Sequence, residues 1–467
     1  HIYPTIMCKQ DKPKTDITVY GATGCVGLYI CQYLLAASDA NEQPIRLVLG
    51  GRNKAKLEKR MESLESKNGS TMEIFVADSS DLAALTKMAE QTKVVVACAG
   101  PFQHYGTNVI AACANTGTDY VDITGEFFWV AKMRQQFSEA AKKSGARIIP
   151  LCGFDSVPSD ISVLAAIEAL REARGGKVEI ETGTCWHRPG GAANAGTVHS
   201  ALAFPVDFKS MFLSSGGKLR KVPFLVEDPL CMAHPTNVRH NPEYDAIRNA
   251  QAAAEWWNQL PCFDSILGYA MSLSFFMAPV NAKVINASSV ALNYGPNFTY
   301  RERWAFLGFG IMRTMGILSA IPALIVQFMI AVFAALFKFP YLGKKFLETL
   351  YPPGAGVPDF INKACSCEVY TEVTSKAGAP TRDRNIDRAA CHIYFEGDGA
   401  NIVTSQCVGE SALALLHNRS DLPKRSEDGF GTPAELIGMV LLKRLQENKV
   451  RKVSIETKVE KDAPKLS

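Results

Sequence analysis

A chain of 467 residues is too long for one ordinary hydrophobic core, so two or more domains with a large buried interior are expected. Its 50 basic and 46 acidic residues nearly balance and are scattered, apart from a basic excess between Lys443 and Lys465, which argues against a nucleic-acid partner. Thirteen cysteines, several inside apolar runs (Cys25, Cys31, Cys98, Cys113, Cys152), read as small core residues of a reducing, intracellular compartment.

Residues 1–15 form a short polar extension without the apolar stretch of an export signal. Ile17 to Tyr20 then reads as a strand that stops at glycine, and Val26 to Ala37 carries helical apolar spacing. Between them lies Gly21-Ala22-Thr23-Gly24-Cys25-Val26-Gly27. In a strand, loop, helix unit Gly21 permits the sharp turn, Gly24 lets the backbone approach a diphosphate, and Gly27 lets helix pack on strand. The diphosphate then meets free N–H groups at the helix N-terminus.

The pattern repeats. Ile45 to Gly50, Met72 to Ala77, Lys93 to Ala99, Tyr120 to Ile123 and Arg147 to Leu151 read as strands, with helical spacings such as Lys54 to Ser66 between them. Alternation of this kind predicts a Rossmann-type doubly wound parallel sheet over residues 16–160, with ligands at the carboxyl ends of its strands. An acid after strand two would accept from a ribose 2′-hydroxyl, but Arg52-Asn53 stands there, which favours NADP without excluding NAD. Arg52 also reads as a surface residue opening the next helix, and Asp78 either reaches the adenine or caps a turn. Ala99, Gly100 and Pro101 follow strand four on the cofactor side.

These segments together resemble the saccharopine dehydrogenase-like oxidoreductases. The resemblance rests on Val19 to Gly24, Gly51-Arg52-Asn53, Ala99 to Phe102 with Tyr105-Gly106, Asp119 to Glu126 and Gly153 to Asp160, and continues in Pro352-Pro353-Gly354 and Gly431 to Ala434. It implies a Rossmann domain, a mixed-sheet α/β second domain and return of the C-terminal helix to the first domain. One turn departs from the family's pattern: Gly397-Asp398-Gly399-Ala400-Asn401 stands where a Gly-Asp-Pro-Gly-Tyr-like turn is expected.

The second domain is expected over residues 161–410, followed by a helical segment over 411–467. Val178 to Trp186, Val284 to Asn293, Cys365 to Val373 and Cys391 to Phe395 alternate as strands of one sheet. Gly190 to Thr197 reads as a helix start facing the cleft at Thr197, or as an ordinary loop. Two apolar segments, 265–282 and 304–337, interrupt the sheet. Thr314 to Phe337 carries no charge and would span roughly 36 Å as a helix. A single crossing would put the last strand on the wrong side of a membrane, so a hairpin or interfacial insertion, or a homodimer contact, is expected.

No acid–base signature is legible. His104 and Tyr105 follow strand four; Tyr120, Asp122, Glu126, Asp155 and Ser156 fall at the same carboxyl edge and complete a candidate substrate pocket, though Asp122 and Asp155 also suit helix caps. No cysteine or histidine spacing suits zinc. The expectation is a dinucleotide-dependent oxidoreductase acting on an undefined, lipid-like carbonyl, imine or alkene. It would work at the cytosolic face of a membrane or lipid droplet, or in mitochondria. A non-catalytic dinucleotide-binding scaffold is the competing class.

Overall fold

The computed structural model describes residues 15–191, 229–233, 250–251, 260–336, 345, 349, 358–376 and 386–460. The first sheet runs β1 (Thr15–Tyr20), β2 (Arg46–Gly51), β3 (Thr71–Val76), β4 (Thr92–Ala97), β5 (Asp119–Asp122) and β6 (Ile148–Ile149). It is wholly parallel, in the order β3-β2-β1-β4-β5-β6. The expected strands are therefore present, and the order reverses at β1, where a doubly wound sheet opens its crevice.

Crossover helices α1 (Cys25–Asn41), α2 (Lys54–Glu62), α3 (Leu82–Glu90), α4 (Phe102–Tyr105), α5 (Thr107–Thr116) and α6 (Phe127–Ser144) cover this sheet, and α7 (Val157–Arg174) leads into the second domain. One side chain in the first helix shows how closely the C-terminal part returns: Tyr33 is buried and its hydroxyl donates to Glu410 at 2.6 Å. Glu410 lies on α11 (Thr404–His417), which packs on α1, β4 and β5.

The second sheet is mixed, in the order β13-β12-β11-β7-β10-β9-β8. Its strands are β7 (Ile180–Arg188), β8 (Cys262–Asp264), β9 (Ala270–Ser274), β10 (Thr299–Trp304), β11 (Ser366–Lys376), β12 (Ile386–Glu396) and β13 (Val453–Glu460). Three of the four expected runs are adjacent here, as β12, β11 and β7. Val284 to Asn293 is not a strand: it lies mostly in α8 (Ala278–Ala291), with Pro279 in its first turn. Every residue from Val280 to Ser289 is buried, so the helix has no polar face to mark its period. Four strands fall outside the expected runs, β8, β9, β10 and β13: β9 lies within the apolar segment 265–282, which therefore joins the sheet rather than interrupting it, and in β10 the charged Arg301, Glu302 and Arg303 hide the alternation. The chain after 411 is helical only in part, since β13 adds an antiparallel edge to β12.

The apolar insertion begins after β10. α9 (Phe309–Met315), a short 3-10 turn and α10 (Ala320–Leu336) follow one another, and the chain re-enters the sheet at β11. β10 and β11 flank the same strand, β7.

Candidate functional site

The glycine loop is fixed by close packing. Gly21 has φ +99°, and a Cβ there would lie 2.8 Å from the Ala99 nitrogen; a Cβ on Gly27 would lie 2.5 Å from the Gly21 oxygen. Gly21 and Ala22 donate to the Gly50 carbonyl at 2.9 and 3.2 Å. Thr23 and Gly24 form the tip, and Gly24 caps α1 without any side-chain hydrogen bond. The first-turn N–H groups, including those of Cys25 and Val26, are thus left to an anion, which fits a diphosphate.

Arg60, on α2, clamps this loop from behind. Its Nε donates to the Ala22 carbonyl at 3.1 Å, and its Nη2 donates to Thr23 and Gly24 at 3.1 and 3.4 Å. It looked like one more charge on an amphipathic helix, so only the fold reveals it. The divergent turn also reaches the loop: Asn401 lies beside Cys25, its Oδ1 3.9 Å from the thiol.

At the ends of β2 and β3, Arg52 is exposed and close enough to influence both Tyr20 and Asp78. Asn53 caps α2, its Oδ1 accepting from the Lys56 N–H at 3.0 Å. Asp78 accepts from the Ser80 N–H and hydroxyl at 2.9 and 2.7 Å; these donors, with Arg52 adding, hold its carboxyl below the ordinary range.

Ala99, Gly100 and Pro101 line the end of β4, with Gly100 exposed. Several residues expected in the substrate pocket are instead engaged in holding the loops. Buried Glu126 accepts from the N–H groups of Phe102 and Gln103 at 2.9 and 2.8 Å, anchoring the chain after Pro101. Asp122 accepts from the Tyr120 hydroxyl at 2.8 Å and from the N–H groups of Thr124 and Leu151 at 3.0 and 2.9 Å. Burial pushes its carboxyl up to about 7, the three donors opposing. Both Tyr120 and Asp122 are fully buried, so they brace β5 against the β6 loop rather than face a ligand. His104 and Tyr105 are exposed.

The loops after β5 and β6 meet the second domain. Gly125 abuts Met277 at the start of α8. Asn281, one turn further, donates to the Asp155 carbonyl at 2.5 Å and accepts from the Ser156 hydroxyl at 2.8 Å. Behind these residues Glu302 accepts from Ser159 at 2.7 Å, from Tyr300 at 2.5 Å and from Asn281 at both oxygens. His187 Nε2 lies 3.0 Å from Ser159 Oγ and 3.3 Å from Glu302, and its ring stacks on Phe275 at 4.2 Å. His187, Glu302, Ser159 and Asn281 are all buried. No local spacing marks this cluster, because its members come from α7, β7, α8 and β10. Thr197 lies outside the described residues.

A parallel doubly wound sheet with an uncapped helix N-terminus over its crevice, facing a second-domain wall, defines a dinucleotide-binding oxidoreductase fold. Residues 17–149 match the model of the saccharopine dehydrogenase NADP binding domain. A putative trans-acting enoyl reductase of Mycobacterium tuberculosis is 30% identical over 444 residues, 92% of this chain and 95% of that protein. A lipid droplet localized protein of Caenorhabditis elegans is 36% identical over 151 residues, 32% of this chain and 35% of that protein. Apo saccharopine dehydrogenase (L-Glu forming) of Saccharomyces cerevisiae shares the fold, with TM-score 0.50 and 12% identity over 95% of this chain and all of that one. The chain belongs to the saccharopine dehydrogenase-like oxidoreductases, and its cofactor is a nicotinamide dinucleotide.

Proposed function

We propose that the chain is an NADPH-dependent reductase of a carbon–carbon, carbon–oxygen or carbon–nitrogen double bond in a hydrophobic molecule, working at a lipid surface such as a droplet. The diphosphate would lie on the N-terminus of α1, with the adenine end toward Arg52 and Asp78. Arg52, in place of an acid, favours the 2′-phosphate. Bound reduced nicotinamide supplies hydride; the chain's part is to hold and orient the reactants and exclude water.

The observation that carries the lipid reading is the insertion. Ile317, Leu318, Ile321, Leu324, Ile325 and Phe328 are each 56–69% exposed, and Phe263, Tyr269 and Phe276 add exposed apolar surface nearby in the chain. So much solvent-facing apolar surface calls for a covering partner. The 21 residues Phe309–Met329 are long and apolar enough to cross a bilayer by length and composition alone. Yet the chain leaves from β10 and returns at β11, both neighbours of β7, so a single crossing would sever the sheet. An insertion lying in one leaflet meets both constraints. The names of the worm droplet protein and the mycobacterial enoyl reductase support the lipid surface and the alkene respectively.

Flotation tests this reading. The intact chain should rise with phospholipid vesicles or triacylglycerol emulsions, and a variant carrying Ile321→Ser, Leu324→Ser and Phe328→Ser should stay below with its melting temperature unchanged. Equal flotation of both, or a lipid-independent dimer lost in the triple variant, contradicts it. A non-catalytic scaffold is the second reading, favoured by the structural commitment of Tyr120, Asp122 and Glu126; retention of NADPH without turnover would select it.

A further inference from the structure

Reduction of a double bond needs a proton as well as hydride, and this inference rests on the reductase reading. Among the acids at the carboxyl edge, Asp122 and Glu126 are occupied by backbone and side-chain donors. Asp155 is different. It stands after β6, on the half of a doubly wound sheet opposite the adenine end. It is partly buried, its carbonyl is held by Asn281, and its carboxylate makes no hydrogen bond with the described residues.

The titratable groups that face it are Glu302 of β10 and His187 of β7. Ser159 gives its hydrogen to Glu302, so its oxygen accepts from His187, which makes Nε2 the protonated nitrogen. His187 Nδ1 is then left buried without a hydrogen-bond partner among the described residues. An unsatisfied buried nitrogen costs stability in a packed interior whatever its role, so its presence points to a task beyond packing.

We propose that Asp155 is the proton donor of the reduction, positioned by Asn281 beside the Glu302–His187 cluster. Bound reduced nicotinamide would supply the hydride for the new C–H bond at the electrophilic carbon and would leave oxidised. The displaced π pair, on oxygen, nitrogen or the adjacent carbon, takes the carboxyl proton. Asp155 is left as carboxylate and regains a proton from water at its exposed side. Burial first, then the charge of Glu302, pushes this carboxyl up to about 6, with His187 opposing. At near-neutral pH it can therefore both hold and give up a proton.

The test needs no substrate. NADP⁺ and NADPH share every phosphate and differ in the charge of the nicotinamide ring, so the difference in protons released on binding reports a titratable group beside that ring. Calorimetric titration at pH 6 in two buffers of different ionisation enthalpy should give roughly 0.4 proton more released by NADP⁺ than by NADPH, as expected if the ring lowers Asp155 by about one unit. Asp155→Asn should abolish the difference while both forms still bind. Glu302→Gln should move its pH midpoint downward, which a merely structural role would not do. Equal proton release by the two forms in the unaltered protein, or an unchanged difference in Asp155→Asn, overturns the assignment with the reductase reading intact. Failure of either form to bind overturns both.

Discussion

The two sheets present their ligand edges by different means. At the first sheet the cradle is made by the backbone: Gly21 and Gly27 sit where any Cβ would clash, and the free N–H groups of α1 do the work. At the second sheet the wall is braced from behind by buried side chains from four separate elements, Ser159, His187, Asn281 and Glu302. A backbone site is specified by local spacing; a side-chain site exists only once distant segments have met.

The sharpest way to break that contrast is to place a side chain in the cradle. Gly27→Val should weaken NADPH binding on the order of 100-fold or more, the worth of one or two charge-assisted hydrogen bonds, read by quenching of protein fluorescence. Binding within a few-fold of the original protein would mean that the backbone does not form the site.

A smaller effect is expected from the bracing acid of the first sheet. Asp122 is buried, and its carboxyl stands at about 7 against an ordinary 3.8. Across that window the folded chain binds more protons than the unfolded one. The contribution is therefore fully present below about 3.8 and is lost as pH rises toward 7. Asp160, at about 6, and Glu435, at about 7, act with the same sign. Urea unfolding between these pH values should show stability falling as pH rises, and Asp122→Asn should flatten the slope. An unchanged slope would remove Asp122 from the account.

What the sequence made legible follows the same division. The strands of the first sheet were readable because each short apolar run ends in glycine or a polar turn at the carboxyl edge, as Tyr20-Gly21 and Gly51-Arg52 do. The roles of Asp122 and Glu126 were not, since a residue at a strand end can face the cleft or turn inward to catch a backbone N–H. In the second domain, α8 passed for a strand because it is buried on all sides, and β10 was masked by its own charges. Arg60 had no local signal: its partners, the carbonyls of Ala22, Thr23 and Gly24, lie more than thirty residues away. The apolar insertion was visible as a run without charge, and the two flanking neighbours of β7 supply the topological constraint on how it can meet lipid.

The central claim joins the two regions, a dinucleotide held by one and a lipid-borne substrate admitted beside the other. Its most direct test is the oxidation of NADPH by the intact chain mixed with vesicles carrying a cellular lipid extract. NADPH consumption should exceed NADH consumption, require the vesicles and fall with the triple serine variant of α10. Consumption that is equal with and without lipid, or none at all while NADPH stays bound, would contradict it.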